Sequence, residues 1–437
     1  MKGNLILTVS VALGAMGLLI SLGGCGTGSV TEAPFKIDRT LVVGSVGQAH
    51  KPAQEVQIAV YMDATTSMAG FASPEGSYFD HFVSDIDAIT QVGWVVPKVS
   101  YYQFGTSIRE IGRQKFLTAA EAGSFYSEPG IFQDTNIDLV LDSTDSQKVN
   151  LVITDLFQRE QDLNVLVAKI RDKCFGKKLQ LAILAIPSQF DGSVHDANVP
   201  PYQYTSQEGK KESYRPFYVL MFGDPDNLER CFEFLRTNEY VDQELFLTLS
   251  PILLSDFQVS LQKTKDSKGL GRYRAEKDPL MFYFKHNRKI SGDALEVEVK
   301  FQPKAHAPDF DPAGLQLTVQ RKAYENKVKR WSSGQEETTD LTPVSFSREG
   351  NMLRCRLDIH LEDAAGHYGY LCELGVSPIN GLVCPDWVRR WSSENPTASH
   401  EPNKTLNLER FVTNLMRASA TIHQPKVGCF ALKIKQI

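Results

Sequence analysis

In "IAVYMDATTSMAGF", residues 58–71, an apolar run ends in Asp63, and Thr65 and Ser67 follow at two-residue steps. A carboxylate and two hydroxyls just past a strand end form a hard-oxygen set. Such donors suit Mg²⁺, Mn²⁺ or Ca²⁺. Two remote stretches carry matching chemistry: Thr135 in "FQDTNIDLVL", in a loop ahead of a short helix, and Asp155 at the end of the apolar run "VNLVITDLF". Neighbouring strands of a parallel sheet would bring all five oxygens to the carboxyl edge, where ligands of such sheets bind. No His or Cys joins them, which disfavours zinc. Alone, "DATTS" could equally cap a helix or shape a turn. The three stretches together point to a divalent cation, Mg²⁺ first.

The elements that must position these residues alternate from residue 55 to 240. Apolar runs at "EVQIAVYMD", "KVSYYQFG", "VNLVITDLF", "LQLAILAIP" and "PFYVLMFGDP" read as strands, with "IREIGRQKF" as a further edge strand. "YFDHFVSDIDAI", "DLNVLVAKIRDKCF" and "PDNLERCFEFLR" have apolar residues at helical spacing between them. The expected fold is α/β: a doubly wound, mostly parallel, Rossmann-like sheet covered on both faces. Residues 188–215 break the rhythm as a long polar loop with Tyr202, Tyr204 and Tyr214, and long loops without their own structure are often functional. Residues 241–280 read as a connecting segment. From 281 to 437 the period changes to two, as in "ALEVEVKF" and "MLRCRLDIHL". That predicts antiparallel strands in a β-sandwich-like accessory domain, of immunoglobulin-like or other topology. Cys355 and Cys372 read as inward-facing on one hairpin. A late helix, "LNLERFVTNLMRA", precedes a last strand.

The set Asp63, Thr65, Ser67, Thr135 and Asp155 resembles the metal-ion-dependent adhesion site of the von Willebrand factor A (vWA) domain. "YYQFG" is similar to that family's second strand. The resemblance covers roughly residues 55–240. Thr65 replaces the first Ser of the family pattern, and Leu156 stands where Gly often follows the second Asp. The resemblance implies a cation held mainly by neutral hydroxyls, with one coordination position left for water. A partner protein's Asp or Glu would displace that water, so that partner binding depends on metal. Tyr202, Tyr204 and Tyr214 leave from the same edge and are expected partner contacts, since tyrosine is enriched at interfaces.

The N-terminus reads as a targeting segment rather than fold. Lys2, an apolar run from Leu5 to Leu22 and "LGGC" at 22–25 form a secretory leader whose ending resembles the bacterial lipobox. The resemblance implies that residues 1–24 are removed and Cys25 carries lipid, with 25–54 including a linker. Gly26 rather than Asp follows, favouring an outer membrane where the host has one. A net charge of −5, with no long basic run, argues against nucleic acid. The six remaining cysteines allow 15 disulfide pairings, and connectivity stays open.

The functional expectation is an exported, lipid-anchored envelope protein that binds a partner through a metal-bridged carboxylate, and not an enzyme. A structural lipoprotein with a degenerate, metal-free site is the alternative. Metal-dependent phosphoryl transfer or hydrolysis ranks behind both. "DATTS" lacks a second aspartate for a phosphoryl-accepting motif, no P-loop or GxSxG occurs, and no general base is placed among the motifs.

Overall fold

Glu55–Asp63 is apolar at nearly every position, which suits a central strand covered on both faces. The computed structural model describes residues 32–44, 55–121, 123–143, 148–156, 160–195, 200–265, 267–271, 274–275, 277–287, 289–290, 292–361, 365–394 and 401–437. The leader and Cys25 lie outside these residues. The protein is mixed α/β.

The first sheet has seven strands: β1 (Glu55–Asp63), β2 (Val96–Phe104), β3 (Ile108–Ile111), β4 (Lys148–Thr154), β5 (Gln180–Ser188), β8 (Arg215–Gly223) and β9 (Phe246–Leu249). Their order is β3-β2-β1-β4-β8-β5-β9. β1 pairs in parallel with both β2 and β4. Every other pairing is antiparallel. The sheet is therefore mixed rather than mostly parallel. After β5, the chain makes no helical crossover. It turns through the hairpin β6 (Asp191–Val194) and β7 (Tyr202–Thr205), then re-enters between β4 and β5 as β8, running the other way. An uninterrupted apolar strand fits either direction, so its pattern could not reveal this.

Helices cover both faces, as expected. α2 (Ala69–Ala72), α3 (Tyr78–Val92), α4 (Arg113–Leu117) and α7 (Pro225–Leu235) supply the core on one side. α5 (Ile137–Ser143) and α6 (Glu160–Lys173) pack on the other. They are joined there by α8 (Asp386–Trp391) and α9 (Leu408–His423), which come from the far end of the chain. Trp387 is buried in this layer.

The remaining strands form two sheets around a shared core. One has the order β10-β13-β19-β18, with β10 (Leu254–Lys263), β13 (Ala294–Pro303), β18 (Leu341–Glu349) and β19 (Met352–Ile359). The other runs β11-β12-β24-β20-β15-β16: β11 (Arg274–Ala275), β12 (Met281–His286), β15 (Leu315–Glu325), β16 (Arg330–Trp331), β20 (Gly366–Val376) and β24 (Lys426–Gln436). β17 (Glu336–Glu337) pairs with β15. Two short ladders, β14 (Asp309–Phe310) with β21 (Leu382–Val383) and β22 (Ser392–Ser393) with β23 (Thr405–Leu406), complete the strands. The period-two reading holds for the buried faces: Leu295, Val297, Val299, Leu353, Cys355 and Leu357 all point into the core. The strands are not all antiparallel as expected, since β12 pairs with β24 in parallel.

Two expectations change. Residues 241–280 hold β9 of the first sheet and β10 of the second, rather than a plain connection. β19 and β20 do not form one hairpin, since they lie in different sheets, each pairing with strands nearer in its own layer. Cys355 and Cys372 both reach the core from those two layers, and all six described cysteines are free thiols and buried. Burial pushes the thiols of Cys231, Cys355 and Cys429 up to about 12. An N-terminal segment with the short helix α1 (Thr40–Val43) also joins this part: Val42 and Val43 enter the core, and Arg39 bonds Asp256 and the Phe257 carbonyl. Pro34–Ile437 gather into one compact unit.

Candidate metal centre

β1 lies between β2 and β4, so its last residue reaches the carboxyl edge with a neighbour on each side. Ala64 N–H donates to the Phe104 carbonyl at 2.8 Å, extending the β1–β2 ladder past Asp63. On the other side the Thr154 hydroxyl donates to Asp63 Oδ2 at 2.7 Å. The chain then turns tightly. Thr65 N–H donates to Asp63 Oδ1 at 3.0 Å and the Thr65 hydroxyl to the same oxygen at 2.7 Å. Such a bond from an Asp side chain to the backbone two residues on fixes a turn. It aims Thr65 and Ser67 at one point: their hydroxyl oxygens lie 3.1 Å apart.

Thr135 arrives from a different direction. Its hydroxyl oxygen is 3.1 Å from that of Thr65. The loop that carries it is sewn to the strand ends by Thr106 N–H to the Ile131 carbonyl (2.9 Å) and Thr66 N–H to the Phe132 carbonyl (3.4 Å). Gly105 makes this approach possible, because a Cβ there would stand 2.0 Å from the Ile131 oxygen. Glu128 anchors the start of the loop, accepting from Gln103 at 2.8 Å and from Arg109 and Lys115.

Asp63, Thr65, Ser67 and Asp155 are buried, whereas Thr135 is half-exposed and Thr66 exposed. The oxygen cluster is thus closed from beneath and approached past Thr135. Burial, and then the nearby Asp155 charge, raise Asp63 to about 7, against the opposing pull of the Thr65 and Thr154 hydrogen bonds. The Asp63 carboxylate is met by neutral donors alone among the described residues.

Asp155 is followed by Leu156 at φ +56°, a left-handed backbone that normally favours glycine. This is the position where the vWA pattern often has Gly. Here the strain is carried by a buried leucine packed beneath the edge, whose N–H donates to the Thr154 hydroxyl at 3.2 Å.

The donor set fits a hard divalent cation: two carboxylates and three hydroxyls drawn from three chain segments, with mutual carboxylate repulsion that a cation would relieve. Among the described residues no group of three or more His, Cys, Asp or Glu is placed to hold a metal. A set built on two carboxylates and hydroxyls falls outside that description.

The tyrosines take other places. Tyr214 is buried against Tyr78, ring centroids 5.8 Å apart, and is not offered to a partner. Tyr204 is half-buried, its hydroxyl donating to the Ser213 carbonyl at 2.6 Å and its ring stacked near Phe190. Tyr202 is half-buried against the first core. Within 188–215 the strands β6 and β7 pair as a hairpin, and β6 lies on α2. Gly192 passes so close to Gly70 that a Cβ on it would meet the Gly70 Cα at 2.7 Å.

Sequence reasoning missed Thr154, Gly105 and Glu128. It also missed Arg215, a buried guanidinium that donates to the Pro402 carbonyl at 2.6 Å and ties a late segment to the start of β8. A hydroxyl one residue before a strand-end aspartate was the available signal for Thr154.

No family model matches the chain, and no curated protein matches it.

Proposed function

We propose that this chain is an exported, lipid-anchored envelope protein with a vWA-like domain. That domain binds a divalent cation and, through it, an acidic side chain of a partner protein. The observation that carries the reading is the convergence of Asp63, Thr65, Ser67 and Thr135 within hydrogen-bond distance of one another, beside Asp155. Asp63, Thr65, Ser67, Thr135 and Asp155 would hold the ion, Mg²⁺ first and Mn²⁺ or Ca²⁺ as alternatives. When bound, the cation supplies the charge that attracts a carboxylate. The turn at Asp63–Thr65 orients the hydroxyls, and the half-exposed Thr135 leaves the approach for a partner open. Burial of Asp63 keeps water from competing for its oxygens.

A second reading has its own support. Both Asp63 oxygens already accept hydrogen bonds, and a carboxyl raised to about 7 is easily protonated. Those facts favour a metal-free site in a structural envelope protein. Mn²⁺ titration followed by electron paramagnetic resonance separates the two. The metal-binding reading expects loss of the free-ion signal at one equivalent, with Thr135→Val weakening binding about tenfold, a coordination oxygen's worth. Equal and unsaturable signals for both proteins would establish the metal-free reading.

A further inference from the structure

The turn between β15 and β16 ends in Lys327, Val328, Lys329 and Arg330. All four are exposed, Val328 at 52%. Among the described residues, no carboxylate forms an ion pair with Lys327, Lys329, Arg330 or with Lys322 on the same hairpin. Glu325 stands opposite Arg330 in register, so the turn keeps a net positive charge. Behind it the Tyr324 and Trp331 rings meet edge to face at 5.3 Å. A lone exposed apolar residue among cations suits a bilayer interface, while the buried Trp331 supports the turn from behind.

The chain enters the compact unit beside this same hairpin. Pro34 lies so close over Gly369 that a Cβ there would meet the proline ring at 2.2 Å, with Trp331 next to it. The Lys322 ammonium sits over the Phe35 ring at 4.8 Å. Gly369 pairs with Lys322, six residues before Val328, and the strand ends at Glu325, so the separation is at most about 20 Å. Cys25 precedes Pro34 by nine residues, a reach of at most about 30 Å. A membrane holding Cys25 is therefore within reach of the hairpin turn.

We propose that the β15–β16 turn is a contact for anionic lipid headgroups, with Lys327, Lys329 and Arg330 at the phosphates and Val328 at the acyl boundary. A basic patch next to a lipid anchor adds an electrostatic contact that depends on headgroup charge. The nearness to a membrane rests on the reading of Cys25 as lipid-bearing; the headgroup contact itself does not.

The test uses the full chain, purified in detergent and reconstituted with vesicles of phosphatidylcholine alone or mixed with phosphatidylglycerol. Flotation reports attachment. Val328→Trp, with bromine-labelled acyl chains as quencher and the unsubstituted chain as background, reports the turn. The expected result is flotation with both vesicles, but quenching of the added tryptophan only with the anionic ones. Lys327→Glu combined with Arg330→Glu should cut that quenching about tenfold or more, given the strength of each basic contact. Flotation on anionic vesicles alone, lost with the charge reversals, would support the contact and remove the lipid-anchor reading. Flotation with equal or no quenching on the two vesicles overturns the proposal and leaves the anchor standing. Absence of flotation on either overturns both.

Discussion

The edge of the first sheet and the interior of the second half both bury carboxylates, but they treat the charge differently. In the second half, Asp340 is buried with the Arg321 guanidinium at 3.1 Å and the Tyr370 hydroxyl at 2.9 Å. Asp293 is buried with the His286 imidazole at 3.2 Å, and it accepts from Gly269 N–H at 3.0 Å. Each acid there has a base beside it and fastens one piece of chain to another. At the sheet edge, Asp63 is met by two hydroxyls and one N–H, with the charge of Asp155 pressing on it. A buried carboxylate without a cationic neighbour is costly. The first arrangement is what stability alone would select. The second makes sense where the missing positive charge comes from elsewhere.

The contrast is sharpest when the same kind of change is made on both sides. Arg321→Met would leave Asp340 buried with only a hydroxyl. The expected cost is about 3 kcal/mol of unfolding free energy, measured by chemical denaturation. A change below roughly 1 kcal/mol would mean that Asp340 does not depend on its base, and the distinction between the halves would weaken.

Asp63→Asn tests the other side. Because its carboxyl is raised to about 7, the folded protein holds a proton there that the unfolded chain has released. Stability from this group is therefore fully present below the ordinary carboxylate range and is lost as pH rises toward 7. Without metal, Asp63→Asn should be more stable relative to the wild type at about pH 8 than at about pH 5, by roughly 2 kcal/mol. Thermal unfolding at the two pH values checks this. An equal difference at both pH values would show that the edge already compensates its charge.

The smallest expected effect concerns Leu156. With φ at +56°, glycine suits the backbone better than alanine does. Leu156→Ala should therefore be less stable than Leu156→Gly by about 1 kcal/mol, although it keeps more apolar surface. Equal costs would mean that the turn relaxes.

The sheet-edge side of this contrast was legible in the sequence, the paired acids of the second half were not, and the reasons are physical. Asp63, Thr65 and Ser67 could be read because their two-residue spacing follows an apolar run, and Asp155 because it ends another. Strand direction could not be read: β8 is apolar throughout, and a strand buried on both faces shows the same pattern whichever way it runs. The alternation in β19 and β20 correctly gave their buried faces, but alternation does not say which sheet a strand joins. The stretch "LNLERFVTNLMRA" announced a late helix. Nothing in it said that the helix would return to cover the first sheet. Tyrosine content suggested an interface for 188–215, where close packing of Gly192 on Gly70 instead seats β6 on α2.

The most direct measurement is calorimetric titration of the metal-free full chain with Mg²⁺, alongside Asp63→Ala. It belongs at about pH 8, above the range in which Asp63 retains a proton. Saturable one-to-one binding by the wild type, abolished in the variant while its fold is retained, is the predicted result. A well-folded wild type that takes up no Mg²⁺, Mn²⁺ or Ca²⁺ at millimolar concentration would contradict it.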